Sequence, residues 1–144
     1  MGSLGIHRVR RDLRSLHMYK TPFWEATPRE TDMFTWDCLV KPHEHSRYGG
    51  QEIRVLLSLG LDWPINEPTI TITSSVNHPC ISSQGRLELF NGEWSPAFNV
   101  GIIMLYLTAL FNDFDETRER QIERTGVFKH ELVHLVHRMT ELLI

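Results

Sequence analysis

Hydrophobic and polar residues follow two different periods along this chain, and the first of them predicts a helix near the N terminus. In IHRVRRDLRSLH an apolar residue recurs every three or four positions, as on one face of an amphipathic helix. The predicted apolar stripe comprises Ile6, Val9, Leu13 and Leu16. The arginines predicted to lie off the stripe are Arg8, Arg10, Arg11 and Arg14.

The middle of the chain has the two-residue period of β-strands. The Pro-containing stretch TPFWEATPRETD breaks the helical pattern, and MFTWDCLV then predicts a strand with Phe34, Trp36 and Cys38 on one face. QEIRVLLSLGL and TITIT predict two further strands, separated by the rigid segment WPINEP. Residues 74–98 contain too many turn residues for a regular element.

The last third of the chain predicts helices. NVGIIMLYLTALF is apolar almost all round, which is typical of a buried helix, and Asn99 is suited to cap it. NDFDETRERQIERTG predicts a short helix ending at Gly126, and VFKHELVHLVHRMTELLI predicts a final amphipathic helix. The order of one helix, three or four antiparallel strands and then helices predicts an α+β fold in a single domain over 1–144.

Composition narrows the class of function. Fifteen basic and eighteen acidic residues give a net charge of −3, which argues against a nucleic-acid binder that relies on bulk charge. Cys38 and Cys80 show no CxxC spacing and no disulfide framework, as expected in a reducing compartment. The run VGIIMLYLTALF is too short to span a bilayer. We therefore expect a cytoplasmic or nuclear protein with no membrane partner and no cofactor.

One motif in the final helix matches that of zinc hydrolases. HELVH, His130 to His134, has the HExxH spacing in which two histidines hold zinc and the glutamate activates water. No third ligand follows at a familiar spacing, and His130, His134, His137 and Glu141 fall opposite the apolar stripe of the helix. We therefore expect a solvated face and no metal site, with a zinc hydrolase as the least favoured alternative. His43 and His45 are expected to be loop residues.

Two residues in NHPCISSQGRLELFNGEWSPA are candidates for other chemistry. Cys80 could act as a nucleophile with His78 nearby, but Pro79 between them disfavours direct pairing, so we expect a partly buried turn residue. Glu88 could act as a general acid or base, but no carboxylate partner is near it in the sequence except Glu93. We expect Glu88 to be solvated or hydrogen-bonded.

These segments together resemble the ubiquitin-conjugating (E2) enzyme family. RVRRDLRSL resembles the first helix of the family, and TDMFTWDCLV followed by YGG resembles its first strand and the turn after its second. WPINEP stands where the family has Tyr-Pro…Pro-Pro, and HPC, Gly85, WSPA and the apolar helix follow in the family's order. The resemblance covers roughly residues 6–112 and implies a four-stranded antiparallel sheet with a helix before it and helices after it.

The departures from the family pattern imply that this chain lacks the activity. The third residue of the family's His-Pro-Asn motif is Cys80 here, and Glu88 stands where the family has its catalytic cysteine. The loop before Trp94 is also about two residues shorter than the usual pattern. Nucleophile, oxyanion support and neighbouring loop are altered together, so we expect a degenerate site at His78, Pro79, Cys80 and Glu88.

The resemblance implies a binding role with a defined surface. An inactive E2 variant would bind ubiquitin or a ubiquitin-like protein, an active E2 or an E3 ligase. The ligase-facing residues implied by the resemblance are Arg10, Arg11, Ile65, Ser95, Pro96 and Ala97. Such a patch combines apolar groups with flanking cations, as protein interfaces often do. The alternative is an active conjugating enzyme that uses Cys80 as its nucleophile.

Overall fold

The computed structural model describes residues 2–90 and 92–112. Helix α1 (Gly2–Ser15) continues into a single 3₁₀ turn (Leu16–Tyr19), five strands follow, and helix α2 (Val100–Asn112) comes after them. The strands are β1 (Trp24–Arg29), β2 (Asp32–Val40), β3 (Ile53–Ser58), β4 (Thr69–Ile72) and β5 (Arg86–Leu87). The predicted short helix before Gly126 and the final helix with HELVH lie outside the described residues.

The five strands form one antiparallel sheet in which each strand pairs with the next in sequence, in the order β1-β2-β3-β4-β5. The two-residue period explains β2, because Trp36, Cys38 and Val40 are buried while Asp37 between them is exposed. The three strands predicted from the sequence are confirmed as β2, β3 and β4. The α+β class with a helix before the sheet and a helix after it is confirmed as well.

The predicted number of four strands is wrong, because strands flank the three predicted ones on both sides. The stretch TPFWEATPRETD contains β1, so MFTWDCLV lies in the second strand rather than the first. Pro28 is tolerated there because β1 is an edge strand, and the register shifts immediately after it, between Pro28 and Arg29. Strand β5 consists of two residues inside the segment 74–98, too few to give a periodic signal.

Helix α2 is buried along nearly its whole length. Every residue from Val100 to Phe111 is buried, as the uninterrupted apolar sequence predicts. The Asn99 side-chain Oδ1 accepts the Ile102 N–H at 2.9 Å, which confirms the predicted cap. Among the described residues, no helix is long and apolar enough to cross a membrane.

The buried stripe of α1 is rotated relative to the predicted one. Val9 is fully buried, but Leu13 is 40% exposed, and Asp12 is buried in its place. The helix approaches β2 and the β3–β4 loop through Gly5, where a Cβ atom would lie 3.1 Å from the Phe34 ring and 3.3 Å from the Leu61 carbonyl oxygen. Because the helix faces the sheet on this side, Asp12 points inward, and so does Arg8, one helical turn before it.

Candidate functional site

The turn between β4 and β5 carries the residues of the predicted degenerate site. Its backbone is closed by hydrogen bonds from the Ile81 N–H to the His78 carbonyl at 3.0 Å and from the Gly85 N–H to the Ser82 carbonyl at 2.9 Å. Gly85 has a φ of +83°, a conformation that glycine adopts without strain. The turn therefore brings residues 78–82 alongside β5.

His78 belongs to the core of this turn. Its side chain is 3% exposed, and its ring stacks on Tyr48 with a centroid separation of 5.8 Å. Its Nδ1 accepts the Cys80 N–H at 2.9 Å, so the lone pair of that nitrogen is directed at the backbone. The imidazole holds the turn together, and Nδ1 is unsuited to accept a proton from a thiol.

Cys80 and Glu88 are brought together but face different environments. Both line a shallow depression of about 270 Å³, together with Pro79 and Arg86. Glu88 is exposed on the surface, whereas Cys80 is only 8% exposed. Glu88 therefore presents a solvated carboxylate to this depression, whereas the Cys80 thiol is largely covered.

The second cysteine is buried, and the two loop histidines contact each other. Burial raises the pKa of the Cys38 thiol to about 12, so it stays protonated at neutral pH. His43 and His45 lie in the loop between β2 and β3, where the His45 N–H donates to His43 Nδ1 at 3.1 Å. In the described part of the chain, no group of three His, Cys, Asp or Glu residues is placed to hold a metal ion.

The second candidate region lies where α1 meets two loops, the β3–β4 loop and the loop before α2. The Trp94 Nε1–H donates to the Pro64 carbonyl at 2.9 Å, and the ring centroids of Trp63 and Trp94 are 5.3 Å apart. Trp63 is 2% exposed and so fills the space beneath both loops. The two tryptophans therefore fix the loops against each other.

Arg8 joins α1 to the same two loops. Its guanidinium donates through Nη1 to the Pro96 carbonyl at 2.6 Å and through Nη2 to the Phe98 carbonyl. The guanidinium carbon also lies 5.7 Å from the centroid of a Trp63 ring. A single cation thus contacts the backbone of one loop and an indole of the other.

Asp12 completes this network from inside. Its Oδ1 accepts the Arg8 Nε–H at 2.8 Å, and its Oδ2 accepts the Trp63 Nε1–H at 3.0 Å. Burial raises the pKa of the Asp12 carboxyl above its ordinary value, although the hydrogen bond and charge of Arg8, and then the Trp63 hydrogen bond, act in the opposite direction. Asp12, Arg8 and Trp63 thus form one buried polar unit.

Above this network lie the residues of the predicted ligase-facing surface that belong to the loops. Ile65 is 69% exposed, and Pro96 and Ala97 are exposed as well. Ser95 is half-buried, and its Oγ accepts the Ala97 N–H at 3.2 Å, which shapes the loop. We call Ile65, Ser95, Pro96 and Ala97 the loop patch.

The two predicted arginines are both exposed on α1, at different angles around the helix from Arg8. At 100° per residue, Arg11 lies about 60° around the helix from Arg8, and Arg10 lies about 160° away. Arg10 and Arg11 nevertheless both line one depression with Arg8. Leu4 lies about 40° from Arg8 on the same side by this geometry, and it is 79% exposed.

Sequence reasoning missed Arg8, Asp12 and the exposed Leu61. Arg8 was expected to lie off the buried stripe, and this is wrong, because its side chain is only 10% exposed. The only sequence signal for the network is the Arg8–Asp12 spacing of four, which is common on helix surfaces. The contact of Arg8 with Pro96 spans 88 positions, and no local pattern records it.

Comparison with known proteins gives one consistent result. The family model described as "Ubiquitin-conjugating enzyme" matches residues 8–142. The chain is 24% identical over 136 residues to ubiquitin-conjugating enzyme E2 2 of Candida glabrata, covering 93% of this chain and 81% of that protein. The enzyme of the same name from Saccharomyces cerevisiae is also 24% identical, with 93% and 79% covered.

A solved structure shows the same fold. The structure of human ubiquitin-conjugating enzyme E2 G1 superposes with a TM-score of 0.69 at 19% identity, covering 77% of this chain and 96% of that chain. At that identity the likeness concerns the fold alone. Because the family model spans most of the sequence, the chain belongs to the ubiquitin-conjugating enzyme family, whose role is ubiquitin conjugation.

Proposed function

We propose that this chain is a catalytically inactive member of its family that acts by non-covalent binding in ubiquitin or ubiquitin-like conjugation. The observation that carries the proposal is the exposed Glu88, which follows β5 in the chain and which the resemblance aligns with the family's nucleophile. Transfer through a thioester requires a thiolate at that place. A carboxylate lacks the sulfur atom and cannot form that intermediate.

Three features of the turn support inactivity. Cys80 replaces the asparagine that supports the oxyanion in the family, and a thiol is a much weaker hydrogen-bond donor than an amide. The Cys80 side chain is 8% exposed, which limits the approach of a ubiquitin C terminus. The Nδ1 of His78 is engaged by the Cys80 N–H at 2.9 Å, so it does not serve as a base for the thiol.

The loop patch supports a binding role. Its exposed Ile65 belongs to the same β3–β4 loop as the equally exposed Leu61, and Arg11 is an exposed cation on α1, the helix that Arg8 joins to this loop. The Arg8 and Trp94 hydrogen bonds hold the loops in place beneath, so little conformational entropy is lost when a partner docks. We propose an E3 ligase or an active E2 as the partner on this surface.

A charging assay tests the proposed inactivity. Incubated with activating enzyme, ATP and ubiquitin, the protein is expected to give no reductant-sensitive band one ubiquitin heavier on a non-reducing gel. A known E2 charged in parallel shows that the reagents work. A band that disappears in Cys80→Ser would contradict the proposal and show that Cys80 had become the nucleophile.

A second experiment tests the loop patch. Purified ligase domains and active E2 enzymes are screened for binding by biolayer interferometry, and Ile65→Ala is then compared with wild type. We expect affinity for any partner found to fall at least about tenfold, as for a central interface residue. Met18→Ala is the matched control, because Met18 is an apolar residue 51% exposed on the 3₁₀ turn. Equal affinities for wild type and Ile65→Ala would mean that the loop patch is not the interface.

A further inference from the structure

Strand β1 lies at one edge of the sheet, and its backbone offers hydrogen-bonding groups to an additional strand. The Lys41 N–H donates to the Phe23 carbonyl at 2.7 Å. In an antiparallel pair hydrogen-bonded and non-hydrogen-bonded residue pairs alternate, so this bond shows which residues of β1 bond to β2. Odd-numbered residues of β1 therefore direct their N–H and C=O groups toward β2. Trp24 and Ala26 direct theirs away from the sheet, where no strand of the described chain pairs with them.

A groove runs along this edge. It has a volume of about 460 Å³ and lies between β1 and the end of α1 with its 3₁₀ turn. The consecutive residues 24–27 all line it. Since neighbouring strand residues point to opposite faces, a groove that touches all four follows the strand edge rather than one face of the sheet.

The opposite wall of the groove supplies an apolar surface and positive charge. Leu13 and Leu16 form its apolar part, and His17 and Lys20 form its polar part. The one acidic lining residue, Glu25, is paired with Lys41 at 2.9 Å. Lys20 forms no ion pair with any described residue. The groove is therefore complementary to an extended segment that carries both apolar and acidic side chains.

We propose that this edge is a docking site for an extended peptide segment of a partner protein, with alternating apolar and acidic residues, which adds to the sheet beside β1. The outward N–H and C=O groups of Trp24 and Ala26 would supply the ladder hydrogen bonds. Leu13 and Leu16 contact the apolar side chains, and Lys20 pairs with an acidic one.

The walls of the groove favour a single segment over a second copy of this chain. The end of α1 and the 3₁₀ turn stand beside β1 and form one side of the groove. If two copies joined edge to edge, the α1 and 3₁₀-turn wall of each copy, with its His17 and Lys20, would be brought toward the same space. A lone strand needs only the width of one inter-strand spacing, about 4.8 Å.

The backbone part of the proposal is tested with Ala26→Pro. A capped hexapeptide of alternating glutamate and valine is titrated into the full-length protein, and affinity is measured by fluorescence anisotropy. Proline removes the outward N–H of residue 26 but no bond to β2, so the fold is expected to persist while affinity falls roughly tenfold. Ala26→Ser keeps the N–H and is expected to bind within about twofold of wild type.

The charge part is tested with Lys20. Lys20→Glu is expected to weaken binding of the same peptide by about fivefold at low salt, and Lys20→Arg is expected to leave it unchanged. A peptide of alternating lysine and valine serves as the probe of opposite charge, and we expect it not to bind. These variants leave β1 unchanged, so they test the proposal even if Ala26→Pro fails to fold.

Amide hydrogen exchange locates the bound peptide. Addition of the glutamate–valine peptide is expected to slow exchange at the Trp24 and Ala26 N–H groups. Absence of binding at millimolar peptide, or equal affinity for the lysine peptide, would overturn the proposal. So would a dimer in sedimentation velocity that Ala26→Pro abolishes, because the occupant of the edge would then be a second copy of this chain.

Discussion

Replacement of Arg8 by methionine is expected to lower the free energy of unfolding by about 3 kcal/mol at pH 8, because it leaves the buried Asp12 carboxylate without its ion partner. The side chains of Arg8 and Asp12 are 10% and 1% exposed, so the Asp12 carboxylate is shielded from water. The variant also loses the hydrogen bonds to the carbonyls of Pro96 and Phe98. Chemical denaturation with urea measures the loss.

The loss is expected to depend on pH in a defined direction. Burial already raises the pKa of Asp12, and without Arg8 the effects that lower it are reduced, so the pKa rises further. A carboxyl whose pKa is raised by folding favours the native state at a pH below its ordinary pKa, and this stabilisation is lost as the pH rises through the folded-state pKa. The deficit of Arg8→Met is therefore largest at alkaline pH and shrinks as the pH falls toward 4.

A second substitution separates the charge from the packing. Asp12→Asn keeps a side-chain oxygen to accept the Trp63 Nε1–H but removes the charge. The double variant Arg8→Met/Asp12→Asn is expected to recover most of the stability, with about 1 kcal/mol still lost through the loop carbonyls. If the double variant were as unstable as Arg8→Met at every pH, the loss would come from packing, and the interpretation of Asp12 as an unpaired buried charge would be wrong.

Replacement of Gly85 by alanine is expected to lower the free energy of unfolding by about 3 kcal/mol, because two costs add. The φ of +83° is unfavourable for any residue with a Cβ atom. That Cβ atom would also lie 2.4 Å from the Ile72 carbonyl oxygen, which belongs to the backbone of β4 and cannot rotate away. Thermal unfolding followed by circular dichroism measures the change.

Gly60 provides the matched control for the Gly85 substitution. Its φ is +81°, but no atom outside its chain neighbours lies within 4 Å of the position of its Cβ atom. Gly60→Ala is therefore expected to cost only the conformational part, about 1 kcal/mol. Equal losses for the two variants would show that β4 shifts to accommodate the added methyl group and that the turn with Cys80 is not tightly held.

Periodicity predicted the elements that are long or uniformly buried. Helix α2 is apolar on all sides because it is buried throughout. Strands β2, β3 and β4 have buried residues at alternate positions, which gives a two-residue period. Strand β1 was missed because it contains a proline. As an edge strand, β1 pairs with a neighbour on one side only, so it tolerates Pro28 at a position where a central strand would exclude it. Strand β5 was missed because two residues form no pattern.

The candidate site was predictable only in part, because several of its contacts join residues that are far apart in the sequence. The loop patch follows from a resemblance, residue by residue, and the exposed Glu88 follows from its charge. The role of Arg8 depends on contacts that span 88 and 90 positions, and that of Asp12 on a hydrogen bond that spans 51. In the helix sequence alone, Arg8 and Asp12 resemble an ordinary ion pair on a helix surface.

The hydrogen bonds from Arg8 to the loop before α2 end on main-chain oxygens, and every amino acid has such an oxygen. The anchor is therefore indifferent to which side chains occupy positions 96 and 97, provided that the backbone keeps its path. If the loop patch binds a partner as proposed, partner preference can change by substitution at Pro96 or Ala97 while the support beneath stays the same. A protein with the proposed binding role could in this way exchange one partner for another without rebuilding its fold.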